Sequence, residues 1–170
     1  MEFSLKAAKV RLLHKNERIE MHGDVEVLAC DLDFEHETNN GVLAEFSPVL
    51  RSMLYCRPEG EPQELPGVDP DKLTALREPA LGGEFKFAGS IDKADLEFSK
   101  GKKVSLAFSE VKVSKFLLLC SEGGTVKVRF QARVYPNSEQ SGQLSGFLTD
   151  KHCLLTIRLP GEEAGSRPTA

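Results

Sequence analysis

From Thr125 to Pro136 the chain alternates strictly. Val126, Val128, Phe130, Ala132 and Val134 are apolar, and Lys127, Arg129, Gln131 and Arg133 stand between them. A period of two is the signature of a strand with one buried and one solvated face, and no helix can satisfy it. The same period governs most of the chain after Glu84: Phe85 and Phe87, then Ala94, Leu96 and Phe98, then Val104, Leu106 and Phe108. The apolar positions change from even to odd numbers between Phe108 and Val111, across Ser109-Glu110. A strand changes faces only by inserting a residue, so a bulge or a turn is expected there. Ser121-Glu122-Gly123-Gly124 reads as a hairpin turn, and Cys153, Leu155, Ile157 and Leu159 as a last strand ended by Pro160.

Earlier in the chain, residues 2–14 read as one strand, Glu17 to Asp24 with its His22-Gly23-Asp24 as a connection, and Val25 to Phe34 as a second strand. After Thr38-Asn39-Asn40-Gly41 the period lengthens: Val42, Phe46, Val49, Leu50, Met53 and Leu54 recur every three or four residues. Ser47-Pro48 suits an N-cap and first helical position, so one interrupted helix or two short ones are expected. Residues 56–83, with five prolines and four glycines, read as a long loop, and Asp69-Pro70-Asp71 before Leu73 and Leu76 reads as a short helix inside it. A further helical turn is expected with Leu144, Phe147 and Leu148 inward.

These elements predict one mainly β domain over residues 1–160: an antiparallel β-sandwich or partly open barrel with two or three short helices. A disordered tail is expected over 161–170. The 170-residue length fits one domain with a real core. A weak internal echo links residues 5–50 with 111–148, each running strand, turn, strand, polar turn, apolar helix. The longest uninterrupted apolar run, Phe116 to Cys120, is far below a membrane span. The N-terminus has no basic lead, apolar stretch and cleavage site, so a cytoplasmic protein is expected.

Catalytic and cofactor motifs are lacking: there is no GxSxG, GxxxxGK[ST] or HExxH, and no GxGxxG after a strand. Cys30, Cys56, Cys120 and Cys153 lie 26, 64 and 33 residues apart, which leaves zinc-ribbon and redox motifs nothing to rest on. No enzyme, cofactor or metal is therefore expected.

Charge supplies the one candidate site. Net charge is −4, yet residues 24–97 carry −11 and residues 98–135 carry +6. Asp31, Asp33, Glu35 and Glu37 share one strand face, and Lys127, Arg129 and Arg133, with Tyr135 beside them, share another. The acidic row alone is a poor metal site, because alternate residues of a strand stand about 6.6–7 Å apart. The basic row could hold phosphates while Tyr135 stacks on bases, with Lys100, Lys102 and Lys103 extending it into a single-stranded nucleic-acid surface. Either row could instead be an ordinary solvated face. A further reading pairs the two rows with each other across neighbouring strands, which leaves little charge for a ligand.

The stretch LHKNERIEMHGDVEVLACDLDFEHETNNGVLAEFSPVLRSMLY, about a third of the chain, resembles the N-terminal half of small uncharacterised proteins encoded by tailed phages and prophages. The resemblance implies residence in a host cytoplasm and a place in DNA replication, recombination or host-defence interference. Two functions follow as expectations. The first is an accessory protein of DNA metabolism contacting single-stranded nucleic acid. The second is a protein–protein adaptor or self-assembling module using sheet edges or the 56–83 loop.

Overall fold

A computed structural model describes residues 1–60, 72–80, 84–100, 103–150 and 152–161. Seven strands form the main sheet: β1 (Leu5–His22), β2 (Val25–Asn39), β5 (Glu84–Phe87), β6 (Ile91–Lys100), β7 (Lys103–Cys120), β8 (Thr125–Val134) and β9 (Cys153–Arg158). A separate two-stranded ribbon joins β3 (Tyr55–Cys56) to β4 (Ala75–Leu76). The helices are a 3-10 turn (Asn40–Val42), α1 (Leu43–Phe46), α2 (Leu50–Leu54) and α3 (Ser138–Thr149).

Every ladder is antiparallel, and the pairings run β7–β6–β9–β1–β2–β8 and back to β7. Six strands therefore close a ring, with β5 added beside the second half of β7. The expected mainly β, antiparallel architecture is the one observed. Closure needs long strands that bend, and β1 and β7, with 18 residues each, change partners midway. β1 pairs with β9 through Val10 and with β2 from Arg11; β7 leaves β6 near Val113 and takes up β8 and β5. The ring of pairings is unchanged when β1 exchanges with β7, β2 with β8 and β6 with β9, so the internal echo has a topological counterpart.

Bulges supply the bends. Ala7, Lys93, Glu110 and Lys115 have φ of 45–60°, and each lies where a ladder shifts register. A side chain tolerates that left-handed backbone only where neighbouring pairing enforces it. Glu110 is the insertion expected from the parity change at Ser109-Glu110.

An aromatic path fills the interior from end to end. Ring centroids are 5.3 Å apart for Phe46–Phe3, 5.4 Å for Phe3–Phe130, 5.3 Å for Phe130–Phe34, 5.9 Å for Phe34–Phe98 and 5.0 Å for Phe98–Phe147. Phe46 comes from α1 at one end and Phe147 from α3 at the other, so the two helical layers close the barrel like lids.

Four local expectations need correction. β1 continues to His22, so Glu17–His22 is strand and the connection is only Gly23-Asp24, with Gly23 at φ +66° as a two-residue hairpin requires. Pro48 opens a turn rather than a helix: α2 starts at Leu50, whose amide donates to the Ser47 carbonyl, and Val49 and Met53 face solvent. Leu76 belongs to strand β4, held by the Tyr55 ladder, while Asp69-Pro70-Asp71 lies outside the described residues. Leu148 is exposed, since α3 turns only Leu144 and Phe147 inward. Most of the expected loop and tail, residues 61–71, 81–83 and 162–170, also falls outside the described residues.

Candidate functional site

β2 and β8 are neighbours, and their register sets the two charged rows directly against each other. Asp31 pairs with Arg133, Asp33 with Gln131, Glu35 with Arg129 and Glu37 with Lys127. Arg133 Nε donates to Asp31 Oδ1 at 2.9 Å, Gln131 Nε2 to Asp33 Oδ1 at 2.8 Å and Arg129 Nε to Glu35 Oε2 at 2.8 Å. Lys127 Nζ stands 3.4 Å from Glu37 Oε2, and Arg129 also reaches Glu84 at 3.3 Å. On the other flank of the acidic strand, Arg11 is the cross-strand neighbour of Glu35, and Arg18 Nη1 donates to Asp31 Oδ2 at 2.7 Å. The acidic row is thus bracketed by cations from β1 and β8.

Asp31 is the buried centre of this face, 7% exposed. Burial pushes its carboxyl pKa up, but hydrogen bonds from Arg133 and Arg18 outweigh burial and leave it below the ordinary value. Both guanidiniums are raised in turn, chiefly by their hydrogen bonds to Asp31. The pairing reading is the geometry observed. Lys127, Arg129 and Arg133 come together as the sequence suggests, but each holds a carboxylate. Tyr135 is engaged by the β1 strand: its ring meets His22 edge-on at 5.1 Å, and its hydroxyl lies 3.5 Å from Glu20 Oε2. Lys100 and Lys103 pair as the last backbone rung of the β6–β7 hairpin, and Lys102 lies outside the described residues. Replacing Lys127, Arg129 and Arg133 together by Ala is therefore expected to lower stability by about 1–2 kcal/mol, the sum of exposed cross-strand pairs. Urea denaturation reads this; an unchanged midpoint would mean that the pairs contribute nothing.

All four cysteines are free thiols, and Cys30 and Cys153 are buried. Burial is the main reason that the Cys30 and Cys153 thiols are pushed up to about 11, so both stay protonated at neutral pH. No cluster of three or more His, Cys, Asp or Glu side chains suited to a metal occurs among the described residues. No helix among them is long and apolar enough to cross a membrane.

The sequence reading missed a different feature. The β2–β8 ladder ends at Cys30–Val134, where Pro136 soon removes a donor, and the β1–β9 ladder ends at Val10–Cys153. β1 and β2 continue together, from Arg18–Ala29 to His22–Val25. This hairpin arm extends about 17 Å beyond β8, at roughly 3.4 Å per residue. Its base is anchored: Lys15 Nζ donates to the Ser141 carbonyl at 2.9 Å and to Ser145 Oγ at 2.7 Å, Glu17 accepts from Ser141, and Arg18 bridges Glu20 and Asp31. Its outer part carries Ile19, Met21 and Val25, each 60–62% exposed. Alternation of Ile19 and Met21 with Arg18, Glu20 and His22 was the available signal.

The equivalence of the two hairpins in the ring makes the contrast plain. The matching β7–β8 hairpin is covered by the β3–β4 ribbon: Gly123 N donates to the Thr74 carbonyl at 3.0 Å, Leu76 N to Glu122, and the buried Tyr55 hydroxyl to the Ser121 carbonyl at 2.9 Å. No strand covers the arm among the described residues. Comparison with known proteins gives no matching family model, no similar curated protein and no similar solved structure. Site geometry is therefore the basis for a functional reading.

Proposed function

We propose that this protein is a non-catalytic protein–protein module, an adaptor or self-assembling unit, whose contact element is the β1–β2 arm. The observation that carries the reading is the exposure of Ile19, Met21 and Val25 on a two-stranded ribbon with unpaired edges. Such a ribbon is marginally stable by itself, and exposed strand edges template pairing with another chain. The filled barrel interior supports binding at the surface rather than inside. The single-stranded nucleic-acid reading draws less support, because Lys127, Arg129 and Arg133 already share a face with the four carboxylates of the neighbouring strand.

A photoreactive residue at Met21 tests the reading in the cells that make the protein. Lys6, exposed at the far end of the same strand, serves as the control position. Light-dependent adducts to protein are expected from position 21 and not from position 6. Equal or absent labelling at the two positions would remove the arm as a contact element.

A further inference from the structure

We infer that the occupant of the arm is a second copy of this chain, joined along the outer edge of β1 about a two-fold axis through Ile19. The inference rests on the contact role of the arm and names its partner. From Arg11 to His22 that edge has no strand partner among the described residues. The sequence along it is self-complementary in charge. In an antiparallel pairing centred on Ile19, Arg18 of one copy faces Glu20 of the other, and Glu20 faces Arg18, so two opposite-charge cross-strand pairs form at once. Asn16 then faces His22, and Met21 faces Glu17. No charged residue of this span meets a like charge.

The faces agree with the edge. Arg18, Glu20 and His22 lie on the outer face with the charged rows, so the new ion pairs continue the network around Asp31. Ile19 and Met21 lie on the inner face opposite Leu28 and Glu26, so their exposed apolar surfaces become contiguous across the axis. The product is a four-stranded antiparallel sheet, β2–β1–β1–β2, spanning two barrels. It is strand addition in which each copy is both donor and template. The internal precedent is the far end of the barrel, where the ribbon β3–β4 already covers the matching hairpin.

Sedimentation velocity of the full chain over a wide concentration range tests this, with folding checked by circular dichroism. The wild type is expected to form a concentration-dependent dimer. Ile19→Asp, which sets two carboxylates against each other on the axis, is expected to give a folded monomer. Glu20→Arg is expected to weaken the dimer by about tenfold or more, since it creates two like-charge pairs per dimer. A wild type monomeric at every concentration would overturn the second copy as occupant. So would a dimer indifferent to Ile19→Asp or to Glu20→Arg. Failure here is separable from failure of the contact role. Adducts from position 21 to a foreign protein would keep the arm as a docking element while excluding self-pairing, whereas adducts of twice the chain mass would support both.

Discussion

Phe34→Ala is expected to cost about 3–5 kcal/mol, the range for deleting a buried aromatic side chain and leaving a cavity. Phe34 is fully buried on β2 and lies midway along the aromatic path, 5.3 Å from Phe130 and 5.9 Å from Phe98. Phe130 links it to Phe3 and α1, and Phe98 links it to Phe147 and α3. A void there weakens the attachment of both helical lids together, where a void at Phe46 or Phe147 would affect one. For a chain of this size the change corresponds to a fall in Tm of about 10 °C or more. Calorimetry of Phe34→Ala and Phe147→Ala, with Phe34→Leu as the volume-retaining comparison, measures it. A Phe34→Ala loss no larger than that of Phe34→Leu would show that the centre of the path collapses without a cavity and is not the keystone of the core.

That path shows why much of the barrel was legible in the sequence. Strands that line the core keep one apolar face, so Val126–Val134, Phe85–Phe87 and Cys153–Ile157 announce themselves by period two. The parity change at Glu110 announces its bulge. Closure was not legible, because it depends on β2 meeting β8 from Cys30–Val134 to Asn39–Thr125 and β1 meeting β9 at Val10–Cys153, contacts that no local pattern encodes. The arm was missed for another reason. The bulge between Leu12 and His14 moves the inward positions of β1 from even to odd numbers, so the pattern reads as a strand ending at His14 when it has only changed phase. Met53 and Val49 followed the helical period yet face solvent, since a five-residue helix has no second turn to bury. The charged rows were both visible as faces, but only register could reveal that Asp31, Glu35 and Glu37 answer Arg133, Arg129 and Lys127 one for one.

Asp31→Ala is the second large expected loss, and it bears on the arm as well as the barrel. Asp31 is where β1, β2 and β8 are tied electrostatically: one oxygen accepts from Arg18 at the base of the arm and the other from Arg133 on β8. Removing it leaves two guanidiniums facing each other. Because both are partly solvated they can turn to water, so the expected cost is about 2–3 kcal/mol, below the 3–5 typical of a fully buried broken pair. Asp31→Asn keeps the shape and one acceptor and is expected to cost about half as much. The pH dependence has a definite sign. The folded carboxyl sits below its unfolded value, so its stabilisation is complete above the unfolded value, near about pH 4, and is lost as pH falls through the lower folded value. Glu17 and Glu20 are lowered in the same direction, Glu17 chiefly by Ser141 and Glu20 chiefly by Arg18, so the arm as a whole loosens in acid. Urea midpoints of wild type and Asp31→Asn are therefore expected to differ most near neutrality and to converge towards about pH 2. A gap of constant size across that range would show that the ionised carboxylate is not what holds Arg18 and Arg133, and would detach the arm from the charged face that anchors it.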